Sequence, residues 1–189
     1  VMLAITKIGA VSIPTSTLLS ASDLAYRIEH GRARAVVTLG ALGERLAGID
    51  DGILRIGVGD GIPDGWERFA DSANAPTAFA PDGPTPATDT ALLYFTSGTT
   101  NRPKLVQHTH ESYPIGHLST MWWLGVRPDD VHLNISSPGW AKHAWSSFYS
   151  PFLAEATVFV YTYDRFDANT LMDVMGTHHV STFCAPPTV

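Results

Sequence analysis

Seven short apolar runs punctuate this chain, at residues 10–13, 35–39, 53–58, 91–95, 131–135, 157–161 and 180–184. Each has the length of a strand, and most lack the apolar/polar alternation of a strand with one wet face. Helical signals fill the gaps. Residues 1–8 read as a helix that Gly9 stops in a left-handed cap. Ser22 and Asp23 read as the cap of a helix with Leu24, Ala25 and Ile28 on one face, ending near Gly31. Thr109 caps a helix towards Leu124 that Pro114 should bend, and Asp167 opens a last helix with Leu171, Val174 and Met175 on one side. Buried strands alternating with helices require a mostly parallel sheet covered on both faces, so the class is α/β.

The alternation breaks once. Residues 72–89 hold Pro76, Pro81, Pro84 and Pro86, and four prolines so close together build neither a helix nor an interior strand. The expected organisation is a first α/β unit over 1–71, a Pro-rich linker over 72–89 and a second α/β unit over 90–189.

Composition removes several classes. With 44% hydrophobic and only 16% charged residues in 189, the chain has the apolar material to offset the entropy of ordering and is not disordered. Twelve basic against eighteen acidic residues leave a net charge of −6, which excludes a general nucleic-acid binder reliant on a basic face. One cysteine, Cys184, cannot form an intramolecular disulfide and suits a reducing compartment, so a cytoplasmic location is expected. No apolar stretch reaches the roughly 18 residues of a spanning helix. The chain starts at Val1-Met2-Leu3-Ala4-Ile5, without the basic start of a secretory signal, and closes on Ala185-Pro186-Pro187-Thr188-Val189. Such apolar ends are expected of an internal piece of a longer polypeptide.

One segment carries chemistry: Tyr94-Phe95-Thr96-Ser97-Gly98-Thr99-Thr100-Asn101-Arg102-Pro103-Lys104. An apolar strand empties into five small residues, four of them hydroxylic, and a lysine follows. Small hydroxyl residues around a glycine let backbone N–H and side-chain O–H groups converge on one anion. Lys104 adds a full positive charge, and Pro103 limits how far the loop strays. The position, after the carboxyl end of a strand, is where open α/β sheets hold ligands. By composition alone the segment also reads as a Ser/Thr/Gly connector. It is not the G-x-x-x-x-G-K-[ST] loop, because no glycine precedes the lysine.

The segment resembles the T-S-G-T-T-G-x-P-K phosphate signature of the adenylate-forming superfamily of acyl-CoA synthetases, luciferases and peptide-synthetase adenylation domains. It departs at one position, where Asn101 replaces the second glycine; asparagine tolerates positive φ well. Lys7-Ile8-Gly9-Ala10-Val11 through Pro14 is similar to that family's early K-x-G-A-x-x-x-P element. Ser136-Ser137-Pro138-Gly139-Trp140 resembles the G-W segment of the acetyl- and medium-chain subgroup, with Ser-Pro where an aspartate is usual. Ala185-Pro186-Pro187-Thr188 resembles its A-P-x-x.

The resemblance implies parts of two flavodoxin-like, mostly parallel sheets with flanking helices. It implies an enzyme that activates a carboxylic acid with ATP and Mg2+ through an acyl-adenylate and transfers the acyl group to CoA. Thr96, Ser97, Gly98, Thr99 and Thr100 would cradle the phosphates, with Lys104 steadying the departing pyrophosphate as the catalytic cation. Trp140, His143 and Trp145 would wall the acyl side. Several of the family's later elements, including Y-G-x-T-E and the adenylation lysine, have no counterpart in these residues. The alternatives are an adenylation domain that loads a carrier protein and a catalytically silent phosphate-binding fragment.

Other residues have plainer readings. Trp140 can be a core or surface tryptophan in a region also holding Trp122, Trp123 and Trp145. His143 can be an ordinary hydrogen-bonded histidine, and Lys142 is expected in solvent. His108 and His110, like His178 and His179, lack the i, i+4 spacing of a helical zinc pair, so no metal site is expected. Cys184 reads as a small buried hydrophobe and Asp129-Asp130 as a solvated turn.

Overall fold

The computed structural model describes residues 1–49, 52–96, 103–187 and 189. The chain is mixed α/β, and its described residues form helices, two three-stranded parallel sheets and a separate strand pair. It divides into two compact units.

The first unit comprises Val1–Ile13, Thr17–Thr85 and Ala91–Gln107. Helix α1, Met2–Lys7, ends at Gly9, whose φ of +69° is the left-handed conformation its position predicts. Helix α2, Ala21–His30, starts two residues earlier than expected. Ser20 is its cap: the Ser20 hydroxyl accepts from Asp23 N at 3.2 Å and donates to the Asp23 carboxylate at 2.7 Å. Asp23 therefore stands at the third helical position, where it answers the cap instead of forming it. Strands β1, Ala35–Leu39, and β2, Leu54–Val58, pair in parallel with Val37 opposite Ile56, and the two-residue β3, Glu67–Arg68, adds to β2. A 3-10 segment over Gly40–Leu46 occupies the β1–β2 connection and buries Leu46.

Strand β4, Thr90–Thr96, and β5, Lys104–Thr109, form the two-stranded sheet. The run 10–13 gives only an isolated parallel bridge, where Ser12 N donates to Ala91 O and Leu93 N to Ser12 O, both at 2.9 Å. Strand β5 escapes the apolar pattern because Lys104, Gln107 and His108 interrupt it, and its first four residues are exposed.

The second unit comprises Pro14–Ser16, Pro86–Thr90 and His108–Val189. Thr109 is not the cap residue expected: the cap position falls to Glu111, without a side-chain bond. Thr109 ends β5 two residues earlier, where its hydroxyl accepts from Ser112 N and Ser112 Oγ accepts from Thr109 N, both at 2.9 Å. The single bent helix expected here is two helices, α3, Ser112–Gly116, and α4, Leu118–Leu124. Pro114 falls in the first turn of α3, where proline is tolerated. The break falls instead at His117, immediately after Gly116.

Strand β6, Val131–Asn134, is the centre of the second parallel sheet, with β7, Thr157–Phe159, on one side and β8, Thr182–Cys184, on the other. Between β6 and β7 runs a helical stretch: α5, Ala141–Ala144, a π-helical turn over Trp145–Tyr149, and α6, Ser150–Leu153. Helix α7, Ala168–Thr177, is capped by Asp167, whose carboxylate accepts from Thr170 N at 2.7 Å as the sequence predicts. Its Leu171 is buried, as is Cys184 at the end of β8. A satellite core of Val126, Ala154 and Ala156 packs with Met121 and Leu124. Among the described residues no helix is long and apolar enough to cross a membrane.

Leu133, only 2% exposed in the central strand, is the best-buried apolar anchor of this sheet. Leu133→Ala is expected to cost about 3 kcal/mol of unfolding free energy, read by urea titration; a loss under 1 kcal/mol would mean that the sheet is held elsewhere.

Candidate active site

Strands β4 and β5 flank the segment that resembles the phosphate signature. Thr96, the last residue of β4, donates from its hydroxyl to the carbonyl of Lys104, the first residue of β5, at 3.4 Å, so the strands meet end to start as in a hairpin. Ser97, Gly98, Thr99 and Thr100, with Asn101 and Arg102, lie outside the described residues. Helix α2 buttresses the frame. Tyr26 donates to Pro103 O at 3.4 Å and meets the Phe95 ring edge-on at 6.0 Å, while the Arg27 guanidinium lies over that ring at 5.3 Å. The side chains of Thr96 and Lys104 both remain exposed.

The expected acyl-side residues share one helical turn in the second unit. Trp140 is the cap residue of α5 and stands 66% exposed. The glycine before it is required by a close backbone approach: a Cβ on Gly139 would overlap Ser16 N and come within 2.6 Å of Ser16 Cα. His143 and Trp145 follow on the same turn, half-buried. His143 Nδ1 lies 2.9 Å from Ser136 O. A carbonyl only accepts, so Nδ1 carries the proton and the neutral ring keeps its lone pair on Nε2. Burial holds the His143 pKa below the ordinary histidine value, the Ser136 hydrogen bond opposes this, and the Lys142 charge adds to the lowering.

Lys142 departs from expectation. Its ammonium donates to Asn134 Oδ1 at 2.7 Å and lies 5.8 Å from the Trp145 ring centroid, half-buried against its own helix instead of reaching into solvent. Asn134 Nδ2 in turn donates to Ser147 Oγ at 2.7 Å, and Ser147 Oγ lies 3.4 Å from His143 Nδ1. Four side chains from β6 and the helical turn are thus one polar network.

An aromatic cluster backs this turn from α3 and α4. The His117 ring lies nearly parallel to Trp145 at 6.0 Å, and Trp123 meets Trp145 edge-on at 5.9 Å. Tyr113 is buried among His108, His117 and Tyr149 and donates to Ala141 O at 3.3 Å. Burial lowers the pKa of His108 and of His117, the latter also through the charge of His108, and raises that of Tyr149. Neither His117 nor Trp123 is near Trp145 in sequence, so spacing gave no signal of them.

Beneath lies His132, 1% exposed in β6, with Nδ1 2.9 Å from Thr182 Oγ1 on β8 and Nε2 3.4 Å from Ser146 Oγ on the π turn. Burial is the main cause of its lowered pKa; hydrogen bonding with Ser146 and the Asp130 charge oppose it, and Lys142 adds to it. Asp130 is also more engaged than a solvated turn residue. Its carboxylate accepts from Arg127 N and from Ser181 Oγ, each at 2.7 Å, and its pKa is lowered chiefly by the Ser181 bond. Among the described residues no group of three His, Cys, Asp or Glu could hold a metal ion.

Comparison with known proteins gives a consistent set of likenesses. A model of the family described as AMP-binding enzyme matches residues 1–189. The 4-hydroxybutyrate--CoA ligase 1 of Metallosphaera sedula is 36% identical over 189 residues, all of this chain and 33% of that protein. The human mitochondrial acyl-coenzyme A synthetase ACSM3 is 30% identical over 186 residues, 96% of this chain and 32% of its own length. The crystal structure of an acyl-CoA synthetase from Brucella canis superposes with a TM-score of 0.83 at 26% identity, over 99% of this chain and 34% of that one. The chain therefore spans about a third of the length of these relatives.

Gly139→Ala is expected to destabilise the fold by about 2 kcal/mol, because backbone must move to admit the methyl group; an unchanged denaturation midpoint would refute the close approach. The buried His132 and the half-buried His108, His117 and His143 predict a pH dependence. An unfolded chain takes up protons at the ordinary histidine value, whereas the folded chain resists until lower pH at His108, His117, His132 and His143. The stability they contribute is present above the ordinary value and is lost as pH falls below it. Unfolding free energy should therefore decline from about pH 7 to about pH 5, with a shallower slope in His132→Gln; a flat profile in the parent chain contradicts the assignment.

Proposed function

This chain belongs to the AMP-binding enzyme family, whose model matches residues 1–189, and from that premise we propose that it carries the phosphate-gripping and acyl-side parts of an ATP-dependent acyl-CoA synthetase. The reaction runs in two steps. A carboxylate oxygen attacks the α-phosphorus of ATP, pyrophosphate leaves, and an acyl-adenylate remains. The thiol of CoA then attacks the acyl carbon, forming the thioester, and AMP leaves with the carboxylate oxygen.

The physical difficulty of the first step is bringing an anion to a polyanion. Charge neutralisation and in-line positioning meet it, with little covalent chemistry asked of the protein. The observation that carries the reading is the framing of the small hydroxylic run by Thr96 and Lys104 at the facing ends of β4 and β5. In this reading Thr96, Ser97, Gly98, Thr99 and Thr100 hold the phosphates. Lys104, whose amine is exposed beside that frame, neutralises the departing pyrophosphate. Mg2+ would travel with the triphosphate as its counter-ion and supply charge neutralisation there.

Trp140, His143 and Trp145 wall the acyl side. The exposed Trp140 ring and the stacked Trp145 offer apolar faces, while His143 Nε2 offers an acceptor. This suits short, medium-chain or aromatic acids, and the likeness to a 4-hydroxybutyrate--CoA ligase and to ACSM3 supports an acid of modest size.

In the protein that carries this segment, Lys104→Ala should lower carboxylate-dependent exchange of labelled pyrophosphate into ATP by about a hundredfold. Undiminished exchange removes the phosphate role from Lys104. Thioester detected by mass with CoA present, and not with a carrier protein, identifies the acceptor; the reverse result makes the chain an adenylation module.

A further inference from the structure

Asn134 is the last residue of the central strand β6, at the carboxyl end of the sheet, and its amide is engaged at both ends. Its Oδ1 accepts from the Lys142 ammonium and its Nδ2 donates to the Ser147 hydroxyl, both at 2.7 Å. The partners fix the orientation of the amide, since a flipped group would set NH2 against NH3+. Lys142 and Ser147 are five residues apart, and the stretch between them contains the π-helical turn that begins at Trp145. The wider i→i+5 turn lets both side chains reach one amide.

Between those anchors sit His143 and Trp145. Lys142 Nζ lies over the Trp145 ring at 5.8 Å, and Ser147 Oγ stands 3.4 Å from His143 Nδ1. Among the described residues no carboxylate pairs with Lys142, and His143 Nε2 has no hydrogen-bond partner. The ammonium stays in place because Asn134 and the Trp145 face hold it, and the imidazole lone pair is left available.

We propose that Asn134 is a positioning residue of the acyl side: by clamping Lys142 and Ser147 it fixes the turn that presents His143 Nε2 and the Trp145 ring. The proposal rests on the acyl-side reading above for its purpose, but its geometry is testable in the 189-residue chain without turnover. Asn134 acts on His143 electrostatically through Lys142. The groups facing His143 are the Lys142 ammonium on its own helix, the Ser136 carbonyl from the preceding loop and the Ser147 hydroxyl on the following turn. Releasing the ammonium into solvent leaves the carbonyl in place and removes the nearby positive charge.

The test is nitrogen-15 imidazole NMR on the chain and on N134A, K142M and the double variant. In the parent chain His143 should show the Nδ1-protonated tautomer. N134A should raise the His143 titration midpoint by roughly half a pH unit, K142M should do the same, and the double variant should shift no further than either alone. A role limited to folding would lower the denaturation midpoint without this non-additivity. Additive shifts, or an unmoved midpoint in a folded N134A, overturn the proposal. Should N134A give no dispersed spectrum, K142M alone decides: it must raise the His143 midpoint and speed exchange of the Asn134 Nδ2 protons, and no change in either defeats the clamp. These outcomes are separate from the acid-activation assay, whose failure would remove the enzymatic reading and leave the clamp standing.

Discussion

A neutral, buried histidine ties the second unit together. His132 sits in the central strand with one ring nitrogen against Thr182 on β8 and the other against Ser146 on the π turn. In β6 its register neighbours are Thr182 on one side and Val158 on the other. The ring thus spans a strand pair and reaches the helical layer above it. A buried imidazolium would be costly, so burial keeps the ring neutral. A neutral imidazole has one donor and one acceptor, and the two hydroxyls, each able to donate or accept, can satisfy both.

Small polar residues make that layering possible. Ser146 and Ser150 are fully buried and lie one helical turn apart. Small side chains there let the helical stretch come close to β6. That closeness brings Asn134 within reach of Lys142 and Ser147, and the site residues inherit their positions from it. The residues that face outward, Trp140 above all, are held by backbone: Gly139 passes so close to Ser16 that no side chain fits between them. Rigid placement on a strand end and a helical turn is what a positioning site requires.

Much of the fold was legible because its signals are local. The runs at 35–39, 53–58, 91–95, 131–135, 157–161 and 180–184 all contain strands, and Gly9 and Asp167 cap their helices as their chemistry predicts. Readings failed where a local signal competed with another or was missing. Ser20 outcompeted Ser22 as a cap because the residue three positions on, Asp23, answers it. Gly116 and His117, not Pro114, divide the helix after Thr109, since proline in a first turn costs nothing that a helix needs. Strand β5 has too polar a pattern to announce itself and exists because β4 offers it an edge.

By itself the sequence determined the α/β class, the positions of six of the strands and the identity of the hydroxylic run with its lysine, because periodicity, capping and a dense motif are properties of neighbouring residues. Tertiary structure decided which side chains meet. Lys142 looked like any exposed lysine until Asn134, eight residues earlier on another element, supplied its acceptor. Trp145 acquired His117 and Trp123, and His132 acquired Thr182 fifty residues away. Such partners are set by the order β7-β6-β8 and by how closely a helix can approach a strand, and a linear pattern holds no distance between elements that only packing brings together.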